Sequence, residues 1–144
     1  MNEEFQVLSN KVVKYLNDAT IVSQMSHWSV MGSNFYEFHL MAGRVYEDLS
    51  GLMDPLVEQL RACGFVPRFE LFKGPGIEFE QFDCHTLGEI TLDYLMTLSG
   101  VITTYYAFCE KNKQDPRLVA IGNQMQGMSS VVLTDMYLLQ SYLA

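Results

Sequence analysis

From Phe5 onward, apolar residues recur every three or four positions, at Leu8, Val12, Leu16, Ala19 and Val22, with Glu4, Lys11, Lys14 and Asp18 between them. That period places the two sets on opposite faces of one helix and predicts a long amphipathic helix from Phe5 to about Val30. Gly32-Ser33-Asn34 then offers a glycine stop and an N-cap, with Glu37 three residues after Asn34 in capping-box register. A second helix follows antiparallel to the first, with Phe35, Phe38, Ala42, Val45, Leu49, Leu52, Leu56, Leu60 and Cys63 on its apolar face and Gly64 as its stop. Pro55 removes the hydrogen bond to the Gly51 carbonyl, which predicts a bend near residues 51 to 55 within a continuing helix.

Residues 64 to 84 lose the period, and Pro67, Gly74, Pro75 and Gly76 punctuate them. A connection this long inside a compact domain is expected to pack its apolar residues, Phe65, Phe69, Leu71, Phe72, Phe79 and Phe82, against the body, around a short helix. Periodicity resumes at Leu87, Ile90, Tyr94, Leu98, Val101, Tyr105 and Phe108, a third helix. Asp115-Pro116 is an N-cap with proline in the first helical position, opening a fourth through Leu118, Ile121, Met125, Met128, Val132, Met136 and Leu139. Short, long and short connections predict one all-α domain over residues 1–144: a four-helix bundle of the ferritin-like topology, with the long crossover between the second and third helices. Architecture alone fits equally well a bundle with no site.

The 144 residues, 49% of them apolar, suffice for a full core without disulfides or a structural metal. No stretch approaches the roughly 18 unbroken apolar residues of a membrane-spanning helix, and Met1-Asn2-Glu3-Glu4-Phe5 lacks the basic and apolar regions of a secretory signal, so a cytoplasmic location is expected. Seventeen acidic against nine basic residues give a net charge of −8, which repels phosphate backbones and leaves cations as the better small partners. Cys63, Cys84 and Cys109 form no CxxC pair and read as reduced apolar fillers. The nine methionines, Met125, Met128 and Met136 among them, fall at helical spacing and read as core rather than as soft-metal ligands.

Candidate chemistry is confined to few residues. His27 and His39 flank the first turn, and Asp54 and Glu58 lie four apart on the second helix, one turn apart on one face, as oxygen donors to a cation require. The same spacing is common on ordinary helix surfaces. His85 has only adjacent Cys84 beside it and reads as a surface or capping residue. His39 and Asp54 stand fifteen residues apart on one helix, about 22 Å at ~1.5 Å per residue. No ion bridges that distance, so a site using both pairs needs a second, antiparallel copy of the chain in a two-fold contact, with two equivalent sites per dimer. No GxSxG, Walker or HExxH motif is present, and the Glu-x-x-His pairs of larger ferritins are missing.

The stretch His27-Trp28-Ser29-Val30-Met31-Gly32-Ser33-Asn34-Phe35-Tyr36-Glu37-Phe38-His39, followed by Asp54 and Glu58, resembles the signature of the Dps family of miniferritins. Tyr137-Leu138-Leu139-Gln140-Ser141-Tyr142-Leu143 resembles the family's aromatic and leucine-rich last turns more weakly. The resemblance implies a dodecameric shell that binds Fe(II) between two-fold related subunits, oxidises it, preferably with hydrogen peroxide, and stores ferric mineral inside. His27 and His39 would then come from one subunit and Asp54 and Glu58 from its neighbour, with Glu58 able to bridge two irons. Trp28 would be an electron donor or radical trap beside the iron, or equally a core residue.

Three departures qualify this. The family's usual acidic residue four positions after the second histidine is Gly43 here, which predicts one firm and one weak iron position. Glu47, a turn further on, reads as a solvated surface charge. The family's basic tails are replaced by Asn2-Glu3-Glu4 and Leu143-Ala144, which argues against DNA binding. At the start of the fourth helix, where the family lines three-fold pores with acidic residues, stand Asp115 and then Val119, Asn123 and Gln124, so iron access is expected to be less steered by charge. A shell that has lost efficient oxidation is the alternative reading, and a DNA-binding nucleoid protein the least favoured.

Overall fold

The computed structural model describes residues 2–68, 73–78, 80 and 82–144. Four long helices account for most of them: α1 (Glu3–Ser29), α2 (Phe35–Ala62), α3 (Cys84–Lys111) and α4 (Pro116–Leu143). The helices pack α1 on α2, α3 on α4, α1 on α3 and α2 on α4, and α2 barely touches α3. Two hairpins therefore lie side by side, joined by the long crossover, and the predicted four-helix architecture is observed.

Each helix end has a local cause. The Asn2 side chain accepts from Phe5 N at 2.9 Å. Asp115 accepts from Arg117 N at 3.0 Å and from the Arg117 guanidinium, the expected cap. Asp83, unrecognised in the sequence, caps α3 by accepting from Thr86 N at 2.9 Å. At the end of α2, Gly64 takes φ +90°, Gly64 N donates to Arg61 O and Phe65 N to Leu60 O, each at 3.0 Å, which is the Schellman closure that favours glycine at this position. Helix α2 runs through Pro55 without interruption.

The α1–α2 turn differs from its prediction. Asn34 caps nothing with its side chain and instead adopts a left-handed backbone, φ 61°. With Gly32 at φ +88°, it reverses the chain within five residues, and Phe38 N takes up the Asn34 carbonyl at 3.1 Å. Met31 N donates to Phe82 O at 2.8 Å, so the crossover returns to this turn before entering α3.

The core follows the predicted stripes with two shifts. Phe35 is exposed rather than buried, and on α3 the buried line runs through Leu87, Thr91, Leu95, Leu98, Ile102 and Tyr105, so that Ile90, Tyr94 and Val101 lie at its edge. Met125 and Met128 are fully buried and Met136 partly so. Cys63 and Cys109 are buried, Cys84 half-buried, and all three are free thiols. In the crossover, Phe65 packs edge-on against Phe5 at 5.9 Å, whereas Phe82 is exposed. Phe69, Leu71, Phe72 and Phe79 lie outside the described residues, and no helix occurs among the described residues between α2 and α3. Among the described residues no helix is long and apolar enough to cross a membrane.

Candidate metal centre

His27 ends α1 and His39 begins α2, so the tight turn between antiparallel helices brings them face to face. His27 Nδ1 donates to the His39 carbonyl at 2.6 Å, and His39 Nδ1 donates to the His27 carbonyl at 2.8 Å. A carbonyl oxygen can only accept, so both Nδ1 atoms carry the hydrogen. In the neutral ring this leaves the free lone pair on Nε2. This is the tautomer a metal-ligating histidine is given by its backbone partner. The two rings stack with centroids 3.9 Å apart and planes 15° apart, and Phe35 lies against the outer face of the pair, 5.1 Å from the His39 ring.

The stacking limits what the pair can ligate. An imidazole lone pair lies in its ring plane, and two nearly parallel planes at this separation have no common point about 2.1 Å from both nitrogens along their lone pairs. Each ring therefore offers one donor to its own ion, and the pair does not chelate.

Asp54 and Glu58 are exposed on α2, one turn apart, well down the helix from His39. Among the described residues no three His, Cys, Asp or Glu side chains gather closely enough in one chain to hold a metal ion. The fold thus brings His27 and His39 together and leaves Asp54 and Glu58 as a separate pair. Glu47 is exposed, as expected. Trp28 is 67% exposed, which removes the core reading within one chain. Met31, Phe35, Tyr36 and Leu40 are exposed around the same turn. His85 is a surface residue 3.6 Å from Glu89, and Asp83 takes the capping role beside it.

Two buried carboxyls escaped the sequence reading. Asp18, placed there on the polar face of α1, is buried and held by Lys14 Nζ at 2.7 Å, an ion pair that raises the lysine's affinity for its proton. Asp135 is wholly buried on α4 and faces Asp48 of α2. Among the described residues no permanently protonated group donates to either Asp135 oxygen, so its contact with Asp48 is a hydrogen bond only when one carboxyl holds a proton. Burial first, then the shared contact and charge of Asp48, push Asp135 up to about 8, and Arg44 opposes this weakly. The signal was present in the pattern: position 135 falls in the buried line Met128, Val132, Leu139.

An antiparallel hairpin pair with a central crossover and histidines at its first turn is a ferritin-like bundle. The fold is similar over nearly its full length to solved Dps structures. Dps from Staphylococcus aureus matches with a TM-score of 0.83 at 21% identity, covering 99% of this chain and 97% of that one. A Dps protein from Bacillus brevis matches at 0.77 and 16% identity over 100% of both chains, and Dps from Thermosynechococcus elongatus at 0.76 and 13% over 96% and 94%. No protein-family model matches the sequence, and no curated protein matches it.

Proposed function

We propose that this chain is a subunit of a Dps-type iron cage. Fe(II), the substrate, binds between two-fold related subunits, His27 and His39 coming from one and Asp54 and Glu58 from the other. Hydrogen peroxide or oxygen oxidises it, and the ferric product is stored inside the shell as mineral. The observation that carries this reading is the reciprocal histidine contact, because it presents two Nε2 donors in ligating form before any metal arrives.

The separation of the two pairs along α2 supports a shared site between chains. Imidazole with carboxylate suits Fe(II), and one ring per ion fits two irons, each giving one electron to a peroxide reduced to water. Glu58 would bridge the ions. Trp28, exposed beside His27, would supply an electron or trap a radical from the neighbour-facing side. The exposed apolar turn supports homo-oligomerisation. Gly43 leaves one iron position short of a carboxylate, which favours the second reading, a shell with slow oxidation.

The test is anaerobic Fe(II) loading followed by peroxide, reading ferric absorbance and iron retained in the particle, for the natural chain beside Asp54→Asn and His27→Ala. Oxidation well above the protein-free rate, lost in both variants, is expected. Three rates equal to the protein-free control would leave only the shell reading.

A further inference from the structure

Asp135 lies wholly buried on α4. A carboxylate in such a place needs a donor or a counter-charge, and among the described residues neither of its oxygens has a hydrogen-bond partner. The group it faces is Asp48 of α2, a second carboxylate, 34% of whose side chain is open to solvent. Arg44 Nε stands 3.7 Å from Asp48 Oδ2, on a side chain more than half exposed. Asp48 and Arg44, both on α2, are the charged groups that act on Asp135, and among the described residues α1 and α3 contribute none.

Asp48 comes nine residues after His39, about two and a half turns along the helix. It therefore occupies the opposite face of α2, outside the site described above.

A proton closes this pair by making one carboxyl a donor to the other. A divalent cation closes it differently, neutralising both carboxylates and taking an oxygen from each. We propose that Asp48 and Asp135 form a cation site in the α2–α4 contact, where a hard divalent ion of the Mg(II) or Mn(II) kind displaces the proton held between them. Such ions keep several waters and are held by one or two carboxylates, so two protein ligands suffice, and the open side of Asp48 leaves the waters their place. Carboxylate and water ligands select these ions over the softer ones that imidazole and thiolate attract. In the exchange one ion enters, one proton leaves to water and Arg44 gives up its contact with Asp48. The bound ion ties the α1–α2 hairpin to the α3–α4 hairpin.

The test uses the full, assembled chain carrying Asp54→Asn and Glu58→Gln, which removes the carboxylates of the proposed iron site as competitors. Metal-free protein is titrated with Mn(II) under argon at pH 6, 7 and 8, and free ion is read by electron paramagnetic resonance. One Mn(II) per chain is expected. Because Asp135 is pushed up to about 8, affinity should fall about tenfold for each pH unit below that, with one proton released per ion bound. Asp135→Asn and Asp48→Asn should each abolish this binding, and Arg44→Gln should tighten it several-fold by removing the competing guanidinium. A purely structural pair would not set Arg44 against the two carboxyls in this way. Should Asp135→Asn not fold, the part-exposed Asp48→Asn decides alone. Binding that survives the Asn substitutions, that is equal at pH 6 and pH 8, or that is absent at pH 8 in millimolar Mn(II) overturns the proposal.

Discussion

At the scale of single residues, Asp135 departs furthest from the ordinary. A carboxyl with no exposure and a second carboxyl as its neighbour is expensive to ionise. Its folded-state pKa of about 8 stands far above the ordinary 3.8. Between those limits the folded chain holds a proton the unfolded chain has released, so stability is highest below about pH 4 for this group and is lost as pH rises through about 8. Asp135→Asn cannot ionise and can donate to Asp48. Denaturant midpoints measured from pH 5 to 9 should fall in the natural protein and stay flatter in the variant, with a gap on the order of a few kcal/mol at the alkaline end. Parallel pH profiles would show that the two carboxyls do not share a proton.

At the scale of elements, the α1–α2 turn brings the two histidines together. Its hand is set by two left-handed residues, Gly32 and Asn34, and the buried Val30 that closes α1 anchors its start. The histidine carbonyls that accept from the facing rings belong to the helices on either side, so a change in the turn alters the stack directly. An L-residue in the left-handed region costs roughly 1–2 kcal/mol, more if β-branched, and asparagine tolerates it best after glycine. Asn34→Val should therefore lower unfolding stability by about that amount, whereas Asn34→Gly should leave it unchanged or slightly improved. Urea denaturation of the three proteins checks this, and an unaffected Asn34→Val protein would mean the turn relaxes to another form.

At the scale of the molecule, the exposed surface asks for partners. Trp28, Met31, Tyr36 and Leu40 stand around a pair of half-buried histidines on a chain of net charge −8. An apolar patch rimmed by charge marks an interface more often than a free surface. Analytical ultracentrifugation should find a particle many times the 16.5 kDa of one chain. Trp28→Glu with Tyr36→Glu should break it into smaller species that also lose Fe(II) binding, since the ligands are proposed to come from two chains. Smaller species that still bind iron would place the whole site within one subunit.

Much of this was legible in the sequence because it depends on neighbours along the chain. The period of apolar residues, the Asp115 cap, the Gly64 stop and the His27, His39, Asp54 and Glu58 spacing are all short-range facts, fixed by helical geometry before any packing occurs. The turn after α1 was legible in place but not in conformation, since Asn34 serves equally as a cap or as a left-handed residue.

What only the tertiary structure decided depends on residues distant in sequence or on the facing helix. The imidazole tautomers follow from carbonyls on the opposite helix. The burial of Asp135, and Asp48 facing it across the α2–α4 contact, together set its chemistry. Asp18 looked like a surface charge because periodicity reports one apolar stripe, whereas a helix packed against two neighbours buries a wider arc. Local pattern determines where helices form, and the approach of one helix to another determines what their side chains can do.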